Sequence, residues 1–295
     1  MNSIDIESKK FLGQPKNFVS IFNALLFDGK QVLKPEYLKD ENSELVMNVS
    51  SKHVDIIKRY EDGTYLDLFV IESQSYVDPS MVARVMEYES VARMRYIRQN
   101  FKKHVPMHTR LPMILTVVLY VGESKWNAAK RLSELEIIHP GFEKMFNEFK
   151  LNLIELNTNH KYNTGEKATQ DFFDLLRMIY RKQILKEDLD REFNRDALYF
   201  AYVVTKNKEL LSIYNKSEKG DVKVCRALDE MFEESTNKGI QMGIKQGFEQ
   251  GIEQGIELNR FEVYQTMLDK GFSVKAIASI FSVSEESIKK LLMKA

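Results

Sequence analysis

Cysteine is almost missing from this chain. Cys225 is the single thiol in 295 residues, which excludes an intrachain disulfide and any cysteine-rich zinc module and makes a reducing compartment the default. Long apolar runs are missing too: the longest, Met113 to Val121, is about half of what a bilayer crossing needs. The N-terminus, MNSIDIESKK, lacks the charged-then-apolar order of a secretion signal. A cytoplasmic protein without a membrane partner is expected. Charge of one sign is not in excess, because 43 Lys and Arg balance 43 Asp and Glu. A uniformly basic coat is therefore excluded, and nucleic-acid binding would need a local patch. No phosphate-binding glycine loop is found either: the glycine series near the C-terminus follows no predicted strand and lacks the Lys-Ser/Thr end of a P-loop.

What is present is an ordinary globular composition, 43% hydrophobic, at a length that suggests about two structural units. Lys16 to Asp28 places Phe18, Ile21, Phe22, Leu25 and Leu26 at helical spacing, ended by Gly29. HVDIIKRY, then Glu61-Asp62-Gly63-Thr64, then YLDLFVIESQS reads as a β-hairpin, since Asp-Gly accepts positive φ at both central residues. Asp78-Pro79 starts a helix over Ser80 to Asn100. MILTVVLYV, between Pro112 and Gly122, has the unbroken apolar character of a strand covered on both faces. Leu151 to Leu156 is a further strand. These elements make a compact α/β unit spanning residues 1–163.

Residues 164–236 read as a helical extension rich in aromatics and charge. Residues 237–258 carry Gly239, Gly243, Gly247, Gly251 and Gly255, each followed by Ile or Phe. Five helical glycines cost about 1 kcal/mol each against alanine. The stripe reads either as a device for close approach of a second helix, hence a homo-oligomer, or as a partly frayed connector. Residues 259–295 form three short helices, Asn259–Lys270, Ser273–Phe281 and Ser284–Lys294, with Ser273 and Ser284 as N-caps. This is the pattern of a small helix-turn-helix tail that contacts either DNA or protein.

The hairpin sorts its acidic residues by face. With Tyr60 opposite Tyr65, Asp55 pairs with Val70 and His53 with Glu72. Asp55, Glu72 and Gln74 then project to one side, and Asp67 to the other. Two adjacent carboxylates on an otherwise apolar sheet are costly without a cation between them, and Mg²⁺ accepts such a pair together with waters and phosphate oxygens. The alternative is a pair of solvated carboxylates, or ion pairs with Lys58 or Arg59.

Asp55 in HVDIIKRY, Glu72-Ser73-Gln74-Ser75 in VIESQS, the following PSMVARVMEYES, and LPMILTVVLYVGESKW together resemble the Rpn family of recombination-promoting nucleases and putative transposases. That family belongs to the PD-(D/E)XK nuclease superfamily, and the resemblance covers approximately residues 12 to 200. It implies a PD-(D/E)XK restriction-endonuclease-like core with an α-helical C-terminal extension. It also implies that Asp55 and Glu72 bind a divalent metal, completed by the main chain at Ser73, and that Gln74 stands where the superfamily usually has lysine. An uncharged glutamine is better suited to orienting water or phosphate than to acting as a cation. The superfamily often adds an acidic residue on its first helix, where KNFVSIFNALLF offers only Ser20 and Asn23, a departure that bears on a second metal.

The expected activity is metal-assisted hydrolysis of DNA phosphodiesters, with Mg²⁺, or another divalent ion such as Mn²⁺ or Ca²⁺, polarising the phosphate and activating water. Arg84 and Tyr88, one turn apart, could reach the DNA backbone, or Tyr88 could be core with Arg84 its surface neighbour. Arg93, Arg95, Arg98, Lys102, Lys103 and Arg110 are six basic residues with no acidic one between Arg93 and Arg110. They form either a phosphate-contact surface or a solvated helix face. His104 and His108 are poor zinc ligands because Pro106 breaks the helix that would align them. Cys225 reads as an inert thiol, and Trp126 as a core or capping residue. The rival to a nuclease is a catalytically inactive member of the same fold that binds DNA or a partner protein and oligomerises through its tail.

Overall fold

The computed structural model describes residues 3–40, 56–63, 66–184, 188–217 and 220–294. The chain divides into two units, Met1–Glu230 and Met231–Ala295. The first is built on a five-stranded sheet in the order β1 (Leu38–Asp40), β2 (Ile56–Glu61), β3 (Leu66–Gln74), β4 (Ile114–Tyr120), β5 (Asn152–Glu155). The first three strands run antiparallel, while β3, β4 and β5 are parallel. A parallel neighbour needs a crossover, supplied here by helix α3 (Met81–Asn100) between β3 and β4. The sheet is therefore mixed, flanked by helices, and continues into a helical C-terminus.

The hairpin register corrects the sequence expectation. Tyr60 opposes Asp67, and Ile57 opposes Val70, because the strands close at Glu61 and Leu66 rather than tightly around Asp62-Gly63. A shift of two residues along a strand keeps every side chain on its face, so Glu72 and Gln74 still share one face and Asp67 takes the other. Even-numbered residues of β3 turn toward α3, in a buried cluster of Ile57, Leu68, Val70, Tyr88, Ala92 and Ile114. The same face of β4 continues it with Met81, Val85, Val118, Tyr120 and Trp126. Trp126 packs edge-on to Tyr120, with centroids 5.2 Å apart, as a core residue.

The opposite face is aromatic. Helix α2 (Pro15–Phe27) starts with proline at its first turn, where the missing N–H is no loss, and lays Phe22 on Phe69 at 4.8 Å. Tyr60 joins Phe69 at 5.6 Å. Each fully buried ring contributes about 1.5–3 kcal/mol. Helix α1 (Ser3–Leu12) brings Phe11 against Phe172 of α4 (Lys167–Arg181) and Phe200 of α5 (Arg195–Thr205), at 5.6 and 5.0 Å. Arg191 ties this layer together, donating to Asp171 at 2.5 Å and Asp174 at 2.8 Å. Helix α6 (Lys208–Lys216) follows, and a two-residue ladder joins β6 (Glu192–Phe193) to β7 (Val222–Lys223).

Helix α7 (Cys225–Asp269) runs through all five glycines. Open space surrounds the Cβ position of each, and Ile240, Ile244, Phe248, Ile252 and Ile256 beside them are exposed. The first of the three expected tail helices is not separate but the end of α7. It packs with α8 (Val274–Phe281) and α9 (Glu285–Lys294) around Tyr264, Ile277, Ala278 and Ile288. Ser273 caps α8 by accepting from the Ala276 N–H, and Ser284 Oγ accepts from the Ser287 N–H. Among the described residues no helix is long and apolar enough to cross a membrane.

Candidate functional site

Glu72 and Gln74 end β3 on the face covered by α3, two residues apart and therefore side by side. Both are buried, and Gln74 Nε2 donates to Glu72 Oε1 at 2.9 Å. A carboxylate in such surroundings needs a counter-charge. It comes from the first turns of α3, where Arg84 Nη2 donates to Glu72 Oε1 at 2.8 Å. The same guanidinium donates from Nη1 to Asp78 Oδ2 at 2.5 Å, and from Nε and Nη2 to Tyr88 Oη at 3.0 and 2.8 Å. Asp78 is fixed in turn by the Ser80 N–H at 2.8 Å and the Ser80 hydroxyl at 2.6 Å.

The electrostatics follow from these contacts. Burial works against charge on Arg84, but Asp78, Tyr88 and Glu72 outweigh it and raise the guanidinium above its ordinary value. Burial likewise pushes Asp78 up, and the bonds from Ser80 and Arg84 pull it lower still, leaving the carboxyl below its usual range. Burial and the Glu72 charge push the Tyr88 hydroxyl up, so it stays neutral. Over Glu72, Asp78 and Arg84 the formal charge is one unit negative. Two carboxyl groups against one guanidinium, with the Gln74 amide beside Glu72, are oxygen-rich surroundings of the kind a hard divalent cation takes. Among the described residues no group of three His, Cys, Asp or Glu could hold a metal by itself.

The other expected site residues fall in several places. Asp55 and His53 lie outside the described residues, and Val70, expected opposite Asp55, opposes Ile57 instead. Ser73 sits between Glu72 and Gln74, opposite Leu119 in the ladder. Arg84 and Tyr88 turn inward, onto each other and onto Glu72. Asp67 lies on the other face and accepts the Met113 N–H at 3.1 Å. Arg93 donates to Glu89 at 2.8 Å, and Arg98, Lys102 and Lys103 are exposed. A helix rises about 1.5 Å per residue, so Arg98 lies about 21 Å along α3 from Arg84. Because α3 returns from the end of β3 to the start of β4, Arg95, Arg98, Lys102 and Lys103 belong to the opposite end of the sheet from Glu72. Cys225 is buried, which pushes its thiol up to about 12 and leaves it inert at neutral pH.

Asp78 was missed as a site residue. Its signal was present in Asp78-Pro79-Ser80 with Arg84 six residues on, but it was legible only as a helix start. A cavity of about 170 Å³ that gathers Lys161, Arg177 and Arg181 with Asn159, Gln183 and Asp188 also draws on residues too scattered to read as a group.

Residues 9–210 match the family described as "Putative transposase, YhgA-like". The chain belongs to that family. No curated protein and no solved structure matches the chain. The YhgA-like segment takes in the whole sheet, α3 and the Glu72 cluster, and it stops before α7. Membership relates the protein to transposition and recombination, in agreement with the Rpn resemblance of its motifs.

Proposed function

We propose that the protein is a divalent-metal-dependent DNA endonuclease of the PD-(D/E)XK type, hydrolysing phosphodiester bonds in a reaction linked to recombination or transposition. The observation that carries this reading is the buried carboxylate of Glu72, placed at the end of a parallel strand where open α/β sheets take their ligands. Glu72, with Asp55 and the Ser73 main chain, would hold Mg²⁺, Mn²⁺ or Ca²⁺. Such a cation, when bound, polarises the phosphate and lowers the pKa of water. Gln74 is uncharged and already directs its amide at Glu72, so its role is to orient the carboxylate and the groups brought beside it. Tyr88, held neutral, donates or accepts without adding charge. Arg93, Arg95, Arg98, Lys102 and Lys103 hold DNA phosphates away from the scissile bond. The separation of Arg98 from Arg84, about 21 Å along α3, corresponds to about six base pairs of duplex at 3.4 Å each.

The test is nicking and linearisation of supercoiled plasmid by the wild type, Asp55→Ala and Glu72→Gln, each with Mg²⁺, Mn²⁺, Ca²⁺ or EDTA. Cutting is expected only with metal and only in the wild type. A folded wild type that shifts DNA on a gel yet cuts with no metal overturns the reading in favour of an inactive binding module.

The tail serves assembly in this proposal. Glycines four apart make a groove along the i±4 row of α7, and Ile240, Ile244, Phe248, Ile252 and Ile256 make the adjoining ridge. A second copy of α7 fits ridge into groove at a crossing of about −40 to −50°.

A further inference from the structure

We infer that Arg84 is an internal counter-cation for Glu72, a positioning residue that holds the carboxylate until a divalent cation competes for it. The inference rests on the metal reading above and deepens it. A guanidinium has five N–H donors. Arg84 makes four hydrogen bonds, one to Asp78, two to Tyr88 and one to Glu72, and its side chain is 14% exposed. Little remains for a DNA phosphate.

The partners are not equivalent. Asp78 is locked by two bonds from Ser80, and Tyr88 lies one helical turn away in the core. These two anchor Arg84 without help from Glu72, so Glu72 is the exchangeable partner. Arg84 and Gln74 both donate to the same oxygen, Oε1, and an incoming cation gains that oxygen at the cost of the Arg84 bond. Two carboxylates then face a guanidinium and a divalent ion, so Glu72 exchanges one positive partner for a more highly charged one. Arg84 remains on Asp78 and Tyr88.

The test is Mn²⁺ binding to the full-length protein, followed by the electron paramagnetic resonance of free Mn²⁺, with melting temperatures in EDTA and in Mn²⁺. Arg84→Gln should bind Mn²⁺ about tenfold more tightly than the wild type, melt lower in EDTA, and recover more of its melting temperature when Mn²⁺ is added. Arg84→Lys, which keeps the charge but not the fork, should fall between the two. Equal or weaker Mn²⁺ binding by Arg84→Gln, with Glu72→Gln losing Mn²⁺, overturns the role of Arg84 alone. Mn²⁺ binding that ignores Glu72→Gln, or is absent from every protein, overturns the metal reading and this inference with it. If Arg84→Gln does not fold, the wild type decides: Mg²⁺ should shift the Arg84 Nη2 nitrogen resonance and leave Nη1, bound to Asp78, in place. An unchanged Nη2 at saturating Mg²⁺ overturns the proposal.

Discussion

Asp78 shows how one carboxylate can set the geometry of a site without facing the chemistry. It receives Ser80 from its own loop and Arg84 from the helix that follows, and so links the start of α3 to Glu72. Its pKa is lower folded than unfolded. Its stabilising contribution is therefore complete above its unfolded value of about 3.9 and fades as pH falls through the lower folded value. Asp78→Asn should melt lower at neutral pH and lose less stability than the wild type between about pH 5 and pH 2, a difference readable in melting curves across that range. Parallel loss in both proteins would remove Asp78 from the acid response. This residue also marks the limit of sequence reading. Glu72 and Gln74 could be placed on one face because strand alternation is local, whereas the contact of Arg84 with Glu72 exists only because α3 crosses back over β3.

At the scale of elements, β4, α2 and α3 were legible because each has enough residues for its apolar pattern to repeat. The strands β1, β6 and β7 have three, two and two residues, too few to carry a period. The hairpin register went wrong for a related reason: Asp-Gly announces a turn but not how many residues it takes. The stability of the sheet rests on the aromatic stack between α2 and β3. Phe22 is fully buried against Phe18 and Phe69, so Phe22→Ala should cost about 3–5 kcal/mol, measured by urea denaturation. Beyond β4 the chain passes Gly122, where a Cβ would lie 2.7 Å from the Ser75 carbonyl oxygen and would collide with the Tyr120 hydroxyl. No side chain fits there without moving the strand ends that carry Gln74.

At the scale of the whole molecule, the two units answer to different rules. The first is held by buried aromatic and ionic contacts, the second by a small core around Tyr264, Ile277 and Ile288, with α7 exposing its glycines and isoleucines. Replacing Gly243, Gly247 and Gly251 by alanine should raise the intrinsic stability of the helix by about 1 kcal/mol each, because nothing occupies the Cβ positions. In the proposed assembly it should at the same time push a second copy away. Sedimentation is expected to move toward the monomer while circular dichroism gains helix, and an unchanged assembly would sink the ridge-and-groove arrangement.

The crossover between β3 and β4 also has a bearing on time. The hairpin of β2 and β3 can close as soon as both strands exist, but Leu68 meets Ile114 only after α3 and its loop have been made. Non-local parallel pairing of this kind is slow, because the loop must close before the contacts reward it. Arg84 belongs to that crossover, so Glu72 is exposed in the nascent hairpin and acquires its clamp only after α3 has docked. On the ribosome, where synthesis adds about 5–20 residues per second, this order separates the paired strand from the strand clamped by Arg84 by seconds. A growing chain released in that interval would contain Glu72, Ser73 and Gln74 and lack the Arg84 contact that holds Glu72 in the folded protein.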